Sequence, residues 1–340
     1  MTLNILYLTE NFRDTVRQDA LYYLEQAVEK NVNCQWAGIG WRQHKKNESI
    51  DESVRRVMPD ADWVIYFDFG AQYRHVPIRI LPENRRDYKV ATYVVDLHRN
   101  PSRYVRRLNN LRLDAVLMTA IRLGKQMVNG RLRSISPDYY IDNLEIPFFH
   151  MAPCINPEIY KPTSDRKRFD VAFLGATFQV HYPFRYLIRE ELPLLARKER
   201  WNVLIRDTLP GMALDKKISF LSKKGYIVGS KYAEALAHSK AFLFGTSVYR
   251  YPLMKFYEGM GCGTCVMADV PLSAEELHLI PSWNFVAVDE GNWKEKLKYY
   301  IKHDEEREKI ALMGHKTAMR HHTAEVRAKQ LVRFLETHNV

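Results

Sequence analysis

The chain has 340 residues, which is long enough for two domains that each bury a core of their own. Its 46% hydrophobic and 27% charged residues are ordinary for a globular protein, and no apolar run approaches the roughly 20 residues that a membrane-spanning helix needs. Four cysteines are too few for a disulfide framework in a chain of this size. The N-terminal sequence MTLNILYLTENF lacks a basic region and a small-residue cleavage site, so we expect a first strand and a cytoplasmic location.

The net charge of +11 is concentrated in one part of the sequence. From Arg74 to Arg133 there are fourteen basic and four acidic residues, a local net charge of +10. Such a segment suits an anionic partner: a phosphate, an acidic glycan, the inner face of a membrane or a nucleic acid. The alternative is a basic face that meets only solvent.

In the first half of the chain, short apolar runs alternate with segments of helical spacing. This pattern predicts a parallel, doubly wound sheet. Strands are predicted at residues 4–8, 34–40, 63–67, 90–95 and 115–118. A helix is predicted over residues 14–28, a polar surface segment over 43–56 and a basic segment over 99–110.

A linker with several prolines, at residues 153–165, separates this half from a second α/β pattern. Strands are predicted at residues 169–174, 201–205, 226–228, 240–244, 265–268 and 284–288. Helices are predicted at residues 183–195, 232–239 and 253–260, and helical sequence runs from 293 to 340. Two successive doubly wound halves predict a cleft between two domains.

The stretch from Tyr249 to Asp269 predicts a loop, a short apolar helix, a glycine turn and a buried strand. Glu258 is the only acid in that helix, and a buried acid needs a partner. Its partner is either Lys255, one turn earlier, or the hydroxyl groups of a ligand. Cys262 and Cys265 form a CxxC at the end of the helix, whereas redox motifs lie at a helix start, so we interpret both as core residues.

Ligands of parallel α/β sheets bind beyond the carboxyl ends of the strands. The residues at predicted strand ends are therefore candidates for a binding site: Glu10, Asp68, Asp96, His98, Gly175, Thr177, Arg206, Gly245 and Thr246.

The second half resembles the CgeB-like branch of the GT-B glycosyltransferases, which belong to the group 1 glycosyl transferases. The resemblance covers residues 169–335 and rests on RFDVAFLGATFQVHYPFR, YAEALAHSKAFLFG, LMKFYEGMGCGTCVMADVP and the helical tail that starts at EKLKYYIKHDEER. It implies two Rossmann-like domains that face each other across a cleft. Residues 1–155 would form the acceptor-side domain, residues 156–320 the domain for a nucleotide-sugar donor, and residues 321–340 a last helix that crosses back to the first domain.

The resemblance also implies roles for particular residues. Glu258 matches a glutamate that receives the ribose hydroxyls of the donor. Arg250 stands where retaining relatives often have another glutamate. The resemblance therefore does not predict whether the transfer is retaining or inverting, and it implies that the Arg250 cation lies near the diphosphate. Lys255 and Arg185 are further diphosphate ligands, although each basic residue has a surface role as its alternative. The remaining donor-side candidates are Gly175 and Gly245 for close backbone approach, the N–H groups of Leu253 and Met254 at a helix start, and Thr177, Arg206 and Thr246.

For the acceptor side, we expect His98 or Asp96 to position or deprotonate a hydroxyl; the alternative is that both only pair with nearby arginines. The DxD triplet Asp60-Ala61-Asp62 precedes a strand and is interpreted as a solvated turn, so no metal is expected. The predicted reaction moves a sugar from a UDP-, GDP- or dTDP-linked donor to an acceptor that is anionic, a glycan or lipid-linked. The alternatives are a glucosyltransferase acting on a modified base of nucleic acid and a non-catalytic protein that binds a sugar or a partner.

Overall fold

The computed structural model describes residues 3–15, 19–67, 87–163, 166–207 and 216–338. The chain forms two compact units. Unit 1 comprises residues 1–13, 24–152 and 325–340, and unit 2 comprises residues 14–23 and 153–324. The C-terminal segment thus belongs to unit 1, as the predicted return of the last helix requires.

The helices and strands are as follows in chain order. Up to residue 152 they are β1 (Asn4–Leu8), α1 (Asp19–Glu29), β2 (Asn33–Trp36), α2 (Ile50–Val57), β3 (Trp63–Phe67), β4 (Lys89–Val94), α3 (Pro101–Asn110), β5 (Ala115–Met118), β6 (Lys125–Val128), β7 (Arg131–Ser134), α4 (Tyr139–Asn143) and β8 (Phe148–His150). After it they are β9 (Phe169–Gly175), α5 (Pro183–Glu199), β10 (Val203–Asp207), α6 (Ile218–Lys223), α7 (Ser230–Ala237), β11 (Ser239–Leu243), α8 (Met254–Gly261), β12 (Cys265–Ala268), β13 (Val286–Ala287), α9 (Trp293–Lys302), α10 (Asp304–His321) and α11 (Ala324–Thr337).

Unit 1 contains a six-stranded parallel sheet with strand order β2-β1-β3-β4-β5-β8. All residues of β3 and β5 are buried, which explains why these strands are apolar throughout. The five predicted strands are confirmed: β1, β3 and β5 have the predicted bounds, β4 begins and ends one residue earlier, and β2 is shorter. The ring of Phe334, on α11, lies 5.4 Å from that of Phe149, on β8, so the last helix packs on the edge strand of this sheet.

Several elements of unit 1 differ from the sequence prediction, among them the short helix α4, which was not predicted. The segment 43–56, predicted as polar surface, contains most of α2, whose N-terminus is stabilised by a capping box between Ser49 and Glu52. The antiparallel hairpin β6–β7 and the edge strand β8 were not predicted. The hairpin has exposed and half-buried residues on both strands, so it lacks the apolar alternation that reveals a strand in sequence.

Unit 2 contains a five-stranded parallel sheet with strand order β10-β9-β11-β12-β13. The apolar faces of α5 and α9 contribute Ile188, Leu192 and Leu297 to its core. The strand predicted at residues 226–228 is wrong, because these residues only connect α6 to α7. They lie between Gly225 and Gly229, which both have positive φ (85° and 56°), and are too short a run to pair with the sheet.

The predicted helix, glycine turn and buried strand after residue 253 are confirmed as α8 and β12. Gly263 adopts φ +65°, which lets the chain turn directly from the helix into the strand. Cys262 and Cys265 are fully buried free thiols, which confirms them as core residues. Among the helices of the described ranges, none is long and apolar enough to cross a membrane.

Candidate functional site

The carboxyl-terminal edge of the unit 2 sheet brings several predicted site residues together. β9 ends at Gly175, and a loop of residues 244–253 leads from the end of β11 to α8. A Cβ atom placed on Gly175 would lie 3.0 Å from Lys255 Nζ and 3.7 Å from Arg185 Nη1. Two cationic side chains therefore flank the backbone of Gly175, whose φ of +132° suits a glycine.

Glu258 lies on α8 with only 8% of its surface exposed. Its Oε1 accepts a hydrogen bond from Tyr160 Oη, and its Oε2 accepts one from Tyr232 Oη, each at 3.1 Å. Burial raises the pKa of Glu258, and the positive charge of Lys255 and the two tyrosine hydroxyls oppose that rise. The carboxylate is thus held in place by two neutral donors.

The direct ion pair of Glu258 with Lys255, suggested by their spacing, is not formed. The Lys255 ammonium instead donates to the carbonyl of Leu174 at 2.8 Å and to Tyr232 Oη at 3.2 Å. It also lies 5.4 Å from the centre of the Phe242 ring. Because α8 packs on the sheet, Lys255 extends over the end of β9, and the Tyr232 hydroxyl lies between the ammonium and the carboxylate.

Burial lowers the pKa of Lys255 to about 8. The neighbouring Glu258 carboxylate opposes this decrease, and the positive charge of Arg185 adds to it. The side chain therefore carries its charge at neutral pH at a cost in free energy.

Arg185, near the start of α5, is 4% exposed. Its Nε donates to the carbonyl of Gly245, its Nη1 donates to the carbonyl of Ala176 at 3.4 Å, and its Cζ lies 4.1 Å from the centre of the Tyr182 ring. Burial lowers its pKa as well. Within the described residues, neither Arg185 nor Lys255 makes an ion pair with a carboxylate, and buried cations in that state favour an anionic ligand.

Gly245 and Thr246 have structural roles in the loop of residues 244–253. A Cβ atom on Gly245 would lie 2.8 Å from Cδ1 of Phe184, so the absence of a side chain permits this packing. Thr246 is buried and donates through both its N–H and its hydroxyl to the carboxylate of Asp269, which follows β12. The carboxylate fixes the loop next to the Gly245 carbonyl that Arg185 contacts.

Arg250, Leu253 and Met254 lie at the far end of the same loop. Arg250 is exposed with φ +59°, and its Nη2 donates to the carbonyl of Val270 at 2.7 Å. Leu253 is the residue that precedes α8, and no side chain caps this helix start. The Phe256 N–H donates to the Leu253 carbonyl at 3.1 Å, whereas the N–H groups of Met254 and Lys255 precede the first turn of helical hydrogen bonds.

The last two donor-side candidates are Thr177, which follows β9, and Arg206, which lies on the neighbouring strand β10. Thr177 is half-buried in the loop that follows β9. Arg206 pairs with Leu174 across β10 and β9, but its exposed guanidinium donates to the carbonyl of Ile205 at 2.8 Å. The structure thus brings Lys255, Arg185 and Glu258 close to one another and leaves Arg206 on an edge strand.

The acceptor-side candidates belong to unit 1. Asp96 is exposed with φ +54°, and His98 is half-buried, both in the loop after β4. The His98 carbonyl accepts a hydrogen bond from the Met127 N–H at 2.6 Å, so the hairpin β6–β7 lies against this loop. Glu10 is exposed two residues after β1, and Asp68 lies outside the described residues.

Sequence reasoning missed the tyrosines that hold Glu258 and two residues that order the loops. Tyr160 and Tyr232 lie 98 and 26 residues before Glu258, and no spacing rule connects them to it. Asp269 anchors Thr246, and His181 Nδ1 lies 3.0 Å from Tyr249 Oη. The only sequence signal was that a tyrosine hydroxyl needs a polar partner when it is buried.

Comparison with known proteins identifies the second half of the chain. Residues 192–333, which include Lys255 and Glu258, match the family described as "Glycosyl transferase-like". These residues form a glycosyl transferase-like domain. The match supports glycosyltransferase activity of this part of the chain, and no curated protein matches the chain in sequence.

The fold is GT-B, as predicted, because solved structures of GT-B proteins match the whole chain. Sucrose-phosphate synthase from Thermosynechococcus elongatus matches with a TM-score of 0.64 and 11% identity over 98% of each chain. HepE from Anabaena, solved in complex with UDP and glucose, matches with a TM-score of 0.59 and 12% identity over 98% of this chain and all of its own. A glycosyltransferase from Rickettsia africae ESF-5 matches with a TM-score of 0.61 and 9% identity over 99% of this chain and 98% of its own. The narrower CgeB-like resemblance stays a prediction.

Proposed function

We propose that unit 2 of this glycosyltransferase binds the nucleoside diphosphate part of a nucleotide sugar and that the enzyme transfers the sugar to an acceptor hydroxyl. The observation that carries this proposal is the pair of buried cations, Lys255 and Arg185, which both lie within 4 Å of the Cβ position of Gly175. A diphosphate is the strongly anionic part of such a donor. Its phosphate oxygens would replace the carboxylates that these cations lack.

The same groups supply the chemistry that glycosyl transfer needs. The bond from the sugar to the diphosphate breaks, and negative charge accumulates on the departing diphosphate. Lys255, Arg185 and the N-terminus of α8 stabilise that charge. Glu258 accepts the ribose hydroxyls with the lone pairs that Tyr160 and Tyr232 leave available.

The donor nucleotide and the metal requirement are parts of this proposal. HepE, whose structure matches this chain, was solved with UDP, so UDP is the first nucleotide to test and GDP and dTDP are the alternatives. We propose that the transfer is metal-independent, because protein cations take the place of a metal ion at the diphosphate. Within the described ranges, no group of three or more histidine, cysteine and acidic side chains is placed to hold a metal.

On unit 1, we propose that His98 or Asp96 positions the acceptor hydroxyl and that the acceptor is anionic. Eight exposed basic residues of α3, the hairpin β6–β7 and their neighbours, here called the arginine surface, support this proposal. They are Arg99, Arg103, Arg106, Arg107, Arg112, Lys125, Arg131 and Arg133. The hairpin contacts the His98 backbone, so the arginine surface begins beside the proposed acceptor residues.

The arginine surface also favours the second candidate, an acceptor that is nucleic acid. The alternative partner is an anionic glycan or an anionic membrane, and in the second case the protein would lie at the inner face of the cytoplasmic membrane. Binding to single- or double-stranded DNA, RNA and anionic vesicles at 50 and 200 mM salt separates these partners. Replacing Arg103, Arg106 and Arg107 by glutamine should weaken the productive interaction and reduce its salt dependence.

Calorimetric titration with UDP, GDP and dTDP tests the donor site, followed by hydrolysis assays with the corresponding nucleotide sugars. We expect one nucleotide to bind, and Arg185→Gln and Glu258→Ala to reduce its affinity by roughly tenfold or more. Arg206→Gln, which changes an exposed arginine of the same unit, is the matched control. His98→Ala should lower turnover without loss of nucleotide affinity.

The proposal fails if the folded protein binds none of the three nucleotides and turns over no nucleotide sugar. Binding without any turnover would instead support a non-catalytic protein that binds nucleotide sugars. An equal loss of affinity in Arg206→Gln and Arg185→Gln would place the diphosphate outside the pair of buried cations.

A further inference from the structure

Tyr232, on α7, contacts both of the charged groups that the proposed donor site uses. Its hydroxyl lies 3.2 Å from Lys255 Nζ and 3.1 Å from Glu258 Oε2. An ammonium group can only donate a hydrogen bond, and an ionised carboxylate can only accept one. The Tyr232 oxygen therefore accepts from Lys255, and its proton is donated to Glu258.

The two hydrogen bonds of the Tyr232 hydroxyl run in one direction, from Lys255 to Tyr232 and from Tyr232 to Glu258. Burial, the charge of Glu258 and the hydrogen bond to it raise the pKa of Tyr232 well above its usual value, so the hydroxyl keeps its proton. Lys255 Nζ also donates to the Leu174 carbonyl, which leaves the ammonium one further hydrogen for a ligand. Each charged group thus has its orientation set by the protein before a ligand arrives.

We propose that Tyr232 is a positioning residue that links the phosphate-binding Lys255 to the ribose-binding Glu258 through one hydroxyl. This inference rests on the proposed function of the site. The direct ion pair is replaced by a neutral bridge, which holds the ammonium and the carboxylate apart. Each charge then remains available to its own part of the nucleotide, the lysine to the diphosphate and the glutamate to the ribose.

Tyr160 provides a matched comparison within the same network. Its hydroxyl donates to Glu258 Oε1 at 3.1 Å, the same distance as in the bond from Tyr232. Among the described residues, the Lys255 ammonium donates to the Leu174 carbonyl and to Tyr232, and not to Tyr160. Replacing either tyrosine by phenylalanine removes one donor from Glu258, but only Tyr232→Phe also removes an acceptor from Lys255.

The test measures the affinity of wild type, Tyr232→Phe and Tyr160→Phe for the tightest binder among UDP, GDP and dTDP from pH 6 to pH 9.5. We expect both variants to bind more weakly, Tyr232→Phe by about tenfold. Loss of the acceptor destabilises the charged form of Lys255. The alkaline decline in affinity, which in wild type follows the Lys255 pKa of about 8, should therefore move to lower pH by roughly one pH unit in Tyr232→Phe alone.

The 2′-deoxy form of UDP or GDP, or the 3′-deoxy form of dTDP, reports on the ribose subsite. Wild type should lose affinity when the sugar hydroxyl is absent, and both phenylalanine variants should lose less, because Glu258 is less well oriented in each. Tyr232→Leu and Tyr160→Leu, which also lack a polar atom, form a second matched pair in which the same difference is expected, if a phenylalanine variant does not fold.

Identical pH profiles for the Tyr232 and Tyr160 variants would overturn the inference. A tyrosine with only a structural role would lower the nucleotide affinity without changing the pKa of Lys255. If wild type binds no nucleotide, the proposed function fails independently. NMR titration of the Lys255 side chain in the ligand-free protein then still decides the inference. Tyr232→Phe must lower the pKa of Lys255 relative to Tyr160→Phe, and equal values contradict it.

Discussion

Replacing Lys255 with methionine should stabilise unit 2 and prevent donor binding at the same time. The lysine carries a buried positive charge that forms no ion pair with a carboxylate of the described residues, so the free protein bears an electrostatic cost. Methionine has a similar length and no charge, so it fills the same space without that cost. A residue that only supports the fold would give the opposite result, because its replacement destabilises the protein.

The size of the effect follows from the pKa of Lys255, which is lowered from 10.5 to about 8. At about 1.4 kcal/mol per pKa unit, the charged form is disfavoured by roughly 3 kcal/mol relative to the unfolded chain. Loss of the hydrogen bond to the Leu174 carbonyl returns about 1 kcal/mol of that gain. We therefore expect Lys255→Met to raise the free energy of unfolding of unit 2 by about 2 kcal/mol at pH 7.

The pH dependence gives the prediction its sign. Below pH 8 the lysine is charged in both the folded and the unfolded chain, and its full cost is present. Between pH 8 and 10.5 the folded protein releases the proton first, so the cost falls and wild type gains stability relative to the variant. The advantage of Lys255→Met should therefore be largest at pH 7 and diminish toward pH 10.

Urea unfolding followed by circular dichroism at pH 7, 8.5 and 10 measures the difference, and calorimetry with the nucleotide bound by wild type measures the loss of affinity. Lys302→Met, at an exposed position at the end of α9, is the control, with a change within about 0.5 kcal/mol. Destabilisation by Lys255→Met at pH 7, or unchanged nucleotide affinity, would refute the reasoning.

Two further predictions concern stability. Glu25, 2% exposed and hydrogen-bonded to Trp36, has its pKa raised by burial to about 8, so its contribution to stability declines as pH rises from 4.5 to 8. Glu25→Gln should raise the free energy of unfolding by up to roughly 3 kcal/mol at pH 8 and change it little at pH 4.5, as measured by urea unfolding at both pH values; equal effects at both would contradict the buried acid. Gly245→Ala should destabilise unit 2 by about 1–3 kcal/mol in a thermal or urea melt, because its Cβ meets Phe184. Adding Phe184→Leu should recover part of that loss, and no recovery would show that the loop, not the ring, resists the methyl group.

The buried strands were predictable because a parallel sheet that is covered on both faces needs continuous apolar residues. β3 and β5 are buried along their whole length and were found within one residue of their bounds. α2 was missed because only Ile50, Ser53 and Val54 among its residues are buried, and the charged residues around them resemble a loop. The two-residue β13 was predicted too long, since backbone pairing and not composition ends it.

The position of a site residue could be predicted where it depends only on the end of a strand, as for Gly175. The side chains that contact these residues could not be predicted, because those contacts depend on how separate segments pack. The spacing of Lys255 and Glu258 correctly places both on one helix, but the ion pair it suggests describes an isolated helix surface. In the protein that helix is buried, and the lysine meets the Leu174 carbonyl and the Tyr232 hydroxyl.

The sequence resemblance predicts a glutamate at the position of Arg250, and the structure shows what the arginine contacts instead. The guanidinium donates to the Val270 carbonyl and joins the loop before α8 to the segment after β12. Asp269, in that segment, holds Thr246, so both ends of the loop are fixed to the residues that follow the same strand. A carboxylate at position 250 could not donate to the Val270 carbonyl, so this link between the two segments would be lost. Arg250 therefore orders the loop that precedes α8, and Glu258 is the acid that we propose to bind the ribose.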